Sequence, residues 1–358
     1  MDVSGRLALV KQVGEEILTE PELEELLKKK KHFVAYDGFE PSGQMHIAQG
    51  ILRSINVNKM IQAGATFKML VADWHAQANN KMHGDLEKIQ TVGKYLIEVW
   101  RAAGMKLDKV EFVWANELVN SREYWQTVMQ VARNSTVNRI IRTGEIMGRT
   151  DAEVRQVSQL LYPCMQAADI FHLKADVCQL GMDQRKVNVL ARELGPAIGF
   201  WKPVVVSHHM LMGLGEQGTD VKDPVEKAIA MKMSKSNPDS AIFMTDSAEE
   251  VKRKISKAYC PAKTLHENPI AEYFRYIIFE RFDSVEIKRK QEHGGNVSLE
   301  SYRQFSEKYT AGELHPMDVK EAAALHLNEL LEPVRKHFSS NAKARKLAEQ
   351  VRDFKVTR

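Results

Sequence analysis

Cysteine is scarce in this sequence: three in 358 residues, at Cys164, Cys178 and Cys260, each beside apolar neighbours. They are too scattered to frame disulfides or to show metal-ligand spacing, which excludes a disulfide-stapled secreted domain and points to a reducing, cytoplasmic setting. No apolar run is long enough to cross a bilayer, so no membrane partner is expected. The first residues lack a signal-peptide core, and Glu15, Glu16, Glu20 and Glu22 make them too acidic for a transit peptide. Charge of one sign is not in excess: 51 Lys and Arg stand against 47 Asp and Glu, a formal +4. That permits a nucleic-acid partner without arguing for one. There is no internal repeat, low-complexity tract or linker. No histidine, serine or cysteine constellation supplies an enzyme nucleophile. What remains is an ordinary soluble composition, 44% hydrophobic and 27% charged, in a chain long enough for two domains.

The chain is organised around residues 36–50. Phe33, Val34, Ala35 and Tyr36 form a short apolar run that reads as a buried strand. Ile47, Ile51 and Ile55 follow at helical spacing, and Gly64 suits the position just past a helix end. A turn with Gly38, Pro41, Ser42 and Gly43 lies between them. Strand, turn, helix is the first half of a nucleotide-binding unit, and the free N–H groups of the helix start attract phosphate. His46 stands at that start, with Gln49 and Gly50 on the same face. Taken alone, His46 is as readily a capping or half-buried histidine.

Residues 67–72 are a second strand, ending at Asp73, Trp74 and His75, where the polar residues of an α/β site collect. A helix carrying Leu86, Ile89, Leu96 and Trp100 leads to a third strand at 110–114. The alternation predicts a doubly wound parallel sheet. From 116 to 161 no strand-like run appears, and Arg133, Arg139, Arg142 and Arg149 punctuate helical sequence; for each of them a solvated basic face is the plain alternative. Tyr162 is expected to open the next helix, with Pro163 in its first turn. Gln166 and Asp169 share a face of this otherwise apolar helix. Burying them without partners costs several kcal/mol, roughly 2–7 for a neutral group, so they read as a polar ligand pocket unless that face meets solvent. A strand at 177–180 runs into Gly181, Asp183 and Gln184; Asp183 is either an N-cap or an acceptor for ribose hydroxyls. A last strand at 203–206 leads through His208 and His209 to Lys232, Met233, Ser234, Lys235 and Ser236, by themselves a solvated lysine loop between Pro224 and Pro238. Beyond 239 the pattern is helical, broken at 313–318, and the tail from Arg335 is basic.

Residues 232–236 match all five positions of the KMSKS signature, and residues 46–49 resemble its companion HIGH, with Ala48 for the glycine and Gln49 for the second histidine. The pair, in this order, resembles the class I aminoacyl-tRNA synthetases, and the variant first signature resembles the eukaryotic and archaeal branch of tyrosyl-tRNA synthetases. The resemblance implies an α/β fold: a Rossmann-like catalytic domain over 1–238, with a helical insertion at about 116–161 and the KMSKS loop at about 227–238, then an all-α anticodon-binding domain over 239–358. It implies a homodimer that activates L-tyrosine with ATP and Mg2+ as a substrate complex, without a tightly bound cofactor or dedicated metal site, and then charges tRNA(Tyr). It assigns catalysis to His46, Gln49, Lys232 and Lys235. ATP falls to these with Gly43, Gly181, Asp183, Met233 and Ser234. Tyrosine falls to Tyr36, Tyr162, Gln166, Asp169 and Gln184; Glu40 and Asp73 are added to that shell from their place near strand ends, not from the resemblance. The tRNA falls to Arg133, Arg139 and Arg142 and, at the anticodon, to His315, Pro316 and Asp318. Ile277 stands where some relatives carry an aromatic near the first anticodon base. A tryptophanyl-tRNA synthetase, a catalytically silent RNA-binding or signalling paralogue, and a tRNA-free adenylyltransferase remain as alternatives.

Overall fold

A computed structural model describes residues 1–148, 156–215, 231, 233 and 237–354. Its centre is a six-stranded sheet. Strand β1 is Glu16–Leu18, β2 Phe33–Phe39, β3 Ala65–Val71, β4 Val110–Trp114, β5 Val177–Cys178 and β6 Val204–Ser207. The order across the sheet is β1-β6-β5-β2-β3-β4, parallel throughout except where β1 runs antiparallel to β6. The chain moves from β2 outward through β3 to β4, then returns to the other side of β2 with β5. The strand order therefore reverses beside β2, and the crevice at the carboxyl ends of β2 and β5 is where an open α/β sheet binds ligands.

Apolar runs buried on both faces make these strands, and amphipathic helices cover them. The N-terminal lead-in holds helices α1 (Val3–Val13) and α2 (Glu20–Lys29), and α2 opens on a reciprocal cap between Thr19 and Glu22 with Pro21 in its first turn. Helix α3 (Arg53–Gln62) is entered through one wide turn, Ala48–Leu52. Gly50 is needed in that turn because a Cβ there would collide with the Met244 side chain. Short α4 (Asp73–Ala78) follows β3, and α5 (Leu86–Ala102) crosses to β4. The insertion expected from 116 is helical: α6 (Ala115–Leu118), α7 (Arg122–Arg133) and α8 (Val137–Thr143). Helix α9 (Val157–His172) starts before Tyr162, because Gln156 and Gln159 cap one another there. Pro163 is therefore inside the helix, where it leaves the Gln159 carbonyl without its usual donor. Helix α10 (Arg185–Leu194) joins β5 to β6.

After residue 239, helices dominate: Ala248–Lys257, Pro269–Tyr273, Tyr302–Ala311, Pro316–Ser340 and Ala342–Asp353. This part is not wholly helical, since β7 (Val285–Ile287) pairs antiparallel with β8 (Val297–Leu299). Among the described residues no helix is long and apolar enough to cross a membrane. One hydrophobic cluster runs through both halves of the chain, from Ile55, Trp100 and Met105 to Met244, Ile278, Leu327 and Phe338. Ion pairs span the same seam, with Lys59–Glu280 at 2.6 Å and His337–Glu98 at 2.7 Å. Ile277 belongs to this core and is fully buried, so it cannot touch a base.

His209, just past β6, is clamped from both ends of the chain. Its Nε2 lies 3.0 Å from Glu272 and its Nδ1 3.3 Å from Glu15, and its ring stacks on Tyr276 at 4.3 Å. Burial works against its charge, but hydrogen bonding and attraction from Glu15 and Glu272 outweigh it and raise its pKa to about 9. The raised value means that protonated His209 stabilises the fold fully below pH ~6.5, its ordinary value, and that this contribution fades as pH rises through about 9. Exposure of Glu15 reduces the effect, so His209→Gln is expected to cost about 1–3 kcal/mol at pH 6 and little at pH 10, read from urea unfolding at both pH values.

Candidate active site

The carboxyl ends of β2 and β5, the first turn before α3, one face of α9 and the segment after β6 enclose a cleft with about 240 Å³ of interior space. At one end lies a set of buried polar groups. Tyr36 on β2 is fully buried, and its hydroxyl has no well-aligned hydrogen-bond partner, although Gln166 lies beside it. Burial, reinforced by the nearby Cys178 and the charges of Asp169 and Asp37, pushes its phenol well above the ordinary value, so it remains a donor.

Asp169 on α9 is also fully buried. One oxygen accepts a 2.8 Å hydrogen bond from the Tyr124 hydroxyl on α7. The other lies 2.9 Å from His75 Nε2 on α4, close enough for an ion pair but without a hydrogen bond of proper alignment. Burial disfavours charge on His75, yet attraction and hydrogen bonding from Asp169, with Glu40 and Asp73 behind it, outweigh burial and the net shift is upward. Tyr162 packs edge-on against His75 at 5.1 Å and approaches Glu40, which accepts 2.8 Å from Asn79. Gln166 donates to Gln184 Oε1 at 3.0 Å, and Gln184 donates to the Ile146 carbonyl at 3.1 Å. The Gln166 carbonyl oxygen remains to face the cleft.

The floor beside it is a second buried network. Arg53, 1% exposed on α3, lies 3.0 Å from Asp37 on β2 and donates to Gln179 and to His208 Nδ1, the latter at 3.2 Å. A guanidinium only donates, so His208 Nδ1 accepts and its proton sits on Nε2. Burial, with Arg53 and His209 nearby, pushes His208 well below its ordinary value, consistent with a neutral ring. Burial raises Asp37 to about 7, because Arg53 offsets it only in part and Asp183 adds to it. His46 and Gln49 line the cleft above this floor, and the Gln49 carbonyl is held by Trp100 Nε1 at 2.8 Å. Gly181 leaves no room for a Cβ, which would strike Asp183 and Met210. The buried Met233 completes that wall.

The structure thus brings to one cleft Tyr36, Glu40, His46, Gln49, Tyr162, Gln166, Asp169, Gly181, Asp183, Gln184 and Met233. It does not bring Asp73 there: Asp73 is fully buried and accepts from the N–H groups of Trp74 and Asn116 and the amide of Gln90, each at 3.0 Å. Its place at a strand end serves the turn into α4. Gly43 is not a lining residue either; its φ of 132° serves the turn before His46. Lys232, Ser234, Lys235 and Ser236 lie outside the described residues, as does Arg149. Arg133 and Arg142 are exposed on the insertion, while Arg139 pairs with Glu193. His315 caps the helix Pro316–Ser340 by accepting from the Met317 N–H at 3.2 Å, and Asp318 lines a surface hollow with Lys252, Lys288 and Lys320. Sequence reasoning placed His75 at a strand end where site residues collect but gave it no role, and it missed Tyr124, Asp37, Arg53, Gln179 and His208 as members of the site. Arg53 carried a signal, since it falls between Ile51 and Ile55 on a core-facing helix.

Residues 28–332 match the family model described as tRNA synthetases class I (W and Y). The chain is 51% identical over 360 residues to an Arabidopsis thaliana protein named tyrosine–tRNA ligase 1, cytoplasmic, covering 100% of this chain and 90% of that one. A Leishmania major tyrosyl-tRNA synthetase solved in complex with tyrosinol is similar with a TM-score of 0.89 and 44% identity, over 99% of this chain and 53% of that one, so this chain spans about half of its length. The structure of a tyrosyl-tRNA synthetase from Pyrococcus horikoshii complexed with L-tyrosine is similar with a TM-score of 0.90 and 36% identity, over 98% of this chain and 100% of that one.

Among the described residues Arg53 alone forms an ion pair with Asp37, and it also donates to Gln179 and His208. Arg53→Met removes that cation from a dry site, so it is expected to destabilise the protein by about 3–5 kcal/mol in urea unfolding. A loss below about 1 kcal/mol would mean that the Asp37 cluster is not what ties α3 to the sheet.

Proposed function

The chain belongs to the class I tRNA synthetases (W and Y) and, within them, to the tyrosine–tRNA ligases, and we propose that its cleft binds L-tyrosine and ATP, forms tyrosyl-adenylate and passes the tyrosyl group to the terminal adenosine of tRNA(Tyr). The observation that carries this reading is a pair of buried polar atoms without aligned partners, the Tyr36 hydroxyl and the second oxygen of Asp169. Such groups cost free energy until they are satisfied. One phenol hydroxyl satisfies both, accepting from Tyr36 and donating to Asp169. An indole only donates and would leave the Tyr36 proton unmet, which weighs against a tryptophan enzyme.

The substrate ammonium would meet oxygens of Tyr162, Gln166 and Gln184, with the Glu40 carboxylate behind Tyr162. ATP would lie over His46, Gln49, Gly181 and Asp183, its phosphates joined by Mg2+ as part of the substrate complex. The tyrosine carboxylate then attacks the α-phosphorus, the bond to the bridging oxygen breaks, and pyrophosphate leaves with the electron pair. No protein nucleophile takes part. Alignment and stabilisation of charge on the departing group are the enzyme's task. His46 and Gln49 supply fixed donors, and Lys232 and Lys235 supply positive charge from the signature loop. In the second step a ribose hydroxyl attacks the acyl carbon and AMP departs.

For the tRNA, exposed Arg133 and Arg142 suit phosphate contacts, and Arg139 would first have to exchange Glu193 for phosphate. His315, Pro316 and Asp318 suit unpaired anticodon bases by stacking and hydrogen bonding. Exposed apolar Met129 on α7 and Val137 on α8, at 61% and 66%, support a homodimer through the insertion. A cytoplasmic location draws its support from the printed name of the Arabidopsis relative.

ATP–pyrophosphate exchange with each amino acid in turn tests the reading, and tyrosine is expected to be the one activated. Tyr36→Phe should lower the preference for tyrosine over phenylalanine by about 1–3 kcal/mol, because one hydroxyl partner is gone. An unchanged ratio of kcat/KM would show that the hydroxyl is read elsewhere. Lys232→Ala should lower the rate at saturating ATP with little change in the tyrosine KM, since its charge acts on the leaving group. A selective rise in that KM would move Lys232 out of the phosphate site.

A further inference from the structure

We infer that His75 is a positioning residue for tyrosine recognition, a buried counter-ion that keeps the Asp169 carboxylate an acceptor aimed at the substrate hydroxyl. The inference rests on the tyrosine reading of the cleft and adds to it a residue that never touches the hydroxyl itself. Its basis is geometric. His75 Nε2 stands 2.9 Å from Asp169, and the two side chains are 1% and 0% exposed. Tyr124 occupies the other carboxylate oxygen at 2.8 Å. Tyr162 closes over the imidazole edge at 5.1 Å. Bulk solvent is therefore nearly excluded from both partners.

An isolated carboxylate in such a place sheds the cost of burial by taking a proton. A protonated Asp169 would present a donor where the phenol needs an acceptor, and Tyr36 already presents a donor. Two donors facing one hydroxyl leave the substrate proton without a partner. An imidazolium beside it prevents this, and His75, which Asp169 biases toward its charged form, is the titratable base in contact with Asp169. The other charged groups acting on His75 are Glu40, after β2, and Asp73, on its own helix, both acidic and both favouring the imidazolium. The contact combines attraction with a hydrogen bond that is short but poorly aligned, and the attraction is the larger part. The facing lone pair of Asp169 stays available to a ligand.

The distinction between charge and packing gives the test. His75→Gln keeps a polar amide of similar reach and loses the charge; His75→Leu loses both. Each full-length variant is assayed by ATP–pyrophosphate exchange with tyrosine and with phenylalanine, beside wild type. The expected result is a fall of about tenfold or more in the tyrosine-to-phenylalanine ratio of kcat/KM for both variants, carried by the tyrosine KM, with the KM for ATP within about twofold of wild type. Because the ratio is taken within one preparation, an inactive or unfolded fraction cancels, and if His75→Leu does not fold, His75→Gln decides alone. A ratio at the wild-type value in His75→Gln overturns the inference, since packing and hydrogen bonding would then suffice. Wild type showing no preference for tyrosine would overturn the tyrosine reading itself.

Discussion

A carboxylate withdrawn from water must find a positive partner or lose its charge, and two such carboxylates set out this molecule. Asp37, at the end of the central strand, lies against Arg53 of α3. Asp169, inside α9, lies against His75 of α4. The first pair ties a strand to the helix that follows it, the second joins elements distant in sequence, and all four residues line the same cleft. The first fixes the floor beneath the candidate ATP site, through Gln179 and His208. The second fixes the deep end of the candidate tyrosine site, through Tyr124. What lies between them is a cleft whose walls are held by groups that do not contact the solvent.

Much of this was legible in the sequence. The apolar runs at 33–36, 67–72 and 110–114 announced the strands that the structure places at 33–39, 65–71 and 110–114, because strands covered on both faces carry few polar residues. The helix carrying Gln166 and Asp169 betrayed its pocket by placing two polar groups among apolar neighbours. The elements that escaped were short. Three residues at 16–18, 285–287 and 297–299 are too few for a period of two to show, and their pairing is decided by what lies across from them. The start of α9 escaped because the Gln156–Gln159 cap carries a weaker signature than the proline six residues into the helix.

The site residues divide along the same line. Tyr36, Asp169 and Gln184 could be named because the family resemblance implies them and the chemistry of a phenol and an ammonium agrees. His75 could be seen only as a polar residue at a strand end and Tyr124 not at all, because both act through Asp169 and only the fold brings α4 and α7 against α9. Asp73 was named for the wrong neighbourhood: a polar residue at a strand end faces either the ligand or its own turn, and three bonds to Trp74, Asn116 and Gln90 decide for the turn.

The hydrophobic cluster that joins the sheet to the C-terminal helices has a consequence for length. Ile55 and Trp100 pack in one core with Leu327 and Phe338, and Lys59–Glu280 and His337–Glu98 contacts bridge the same seam, so the cleft and the helix that starts at His315 are held by one shared core. On the tRNA reading proposed above, an RNA that reaches both the cleft and the helix start at His315 must match the spacing that this shared core sets between them.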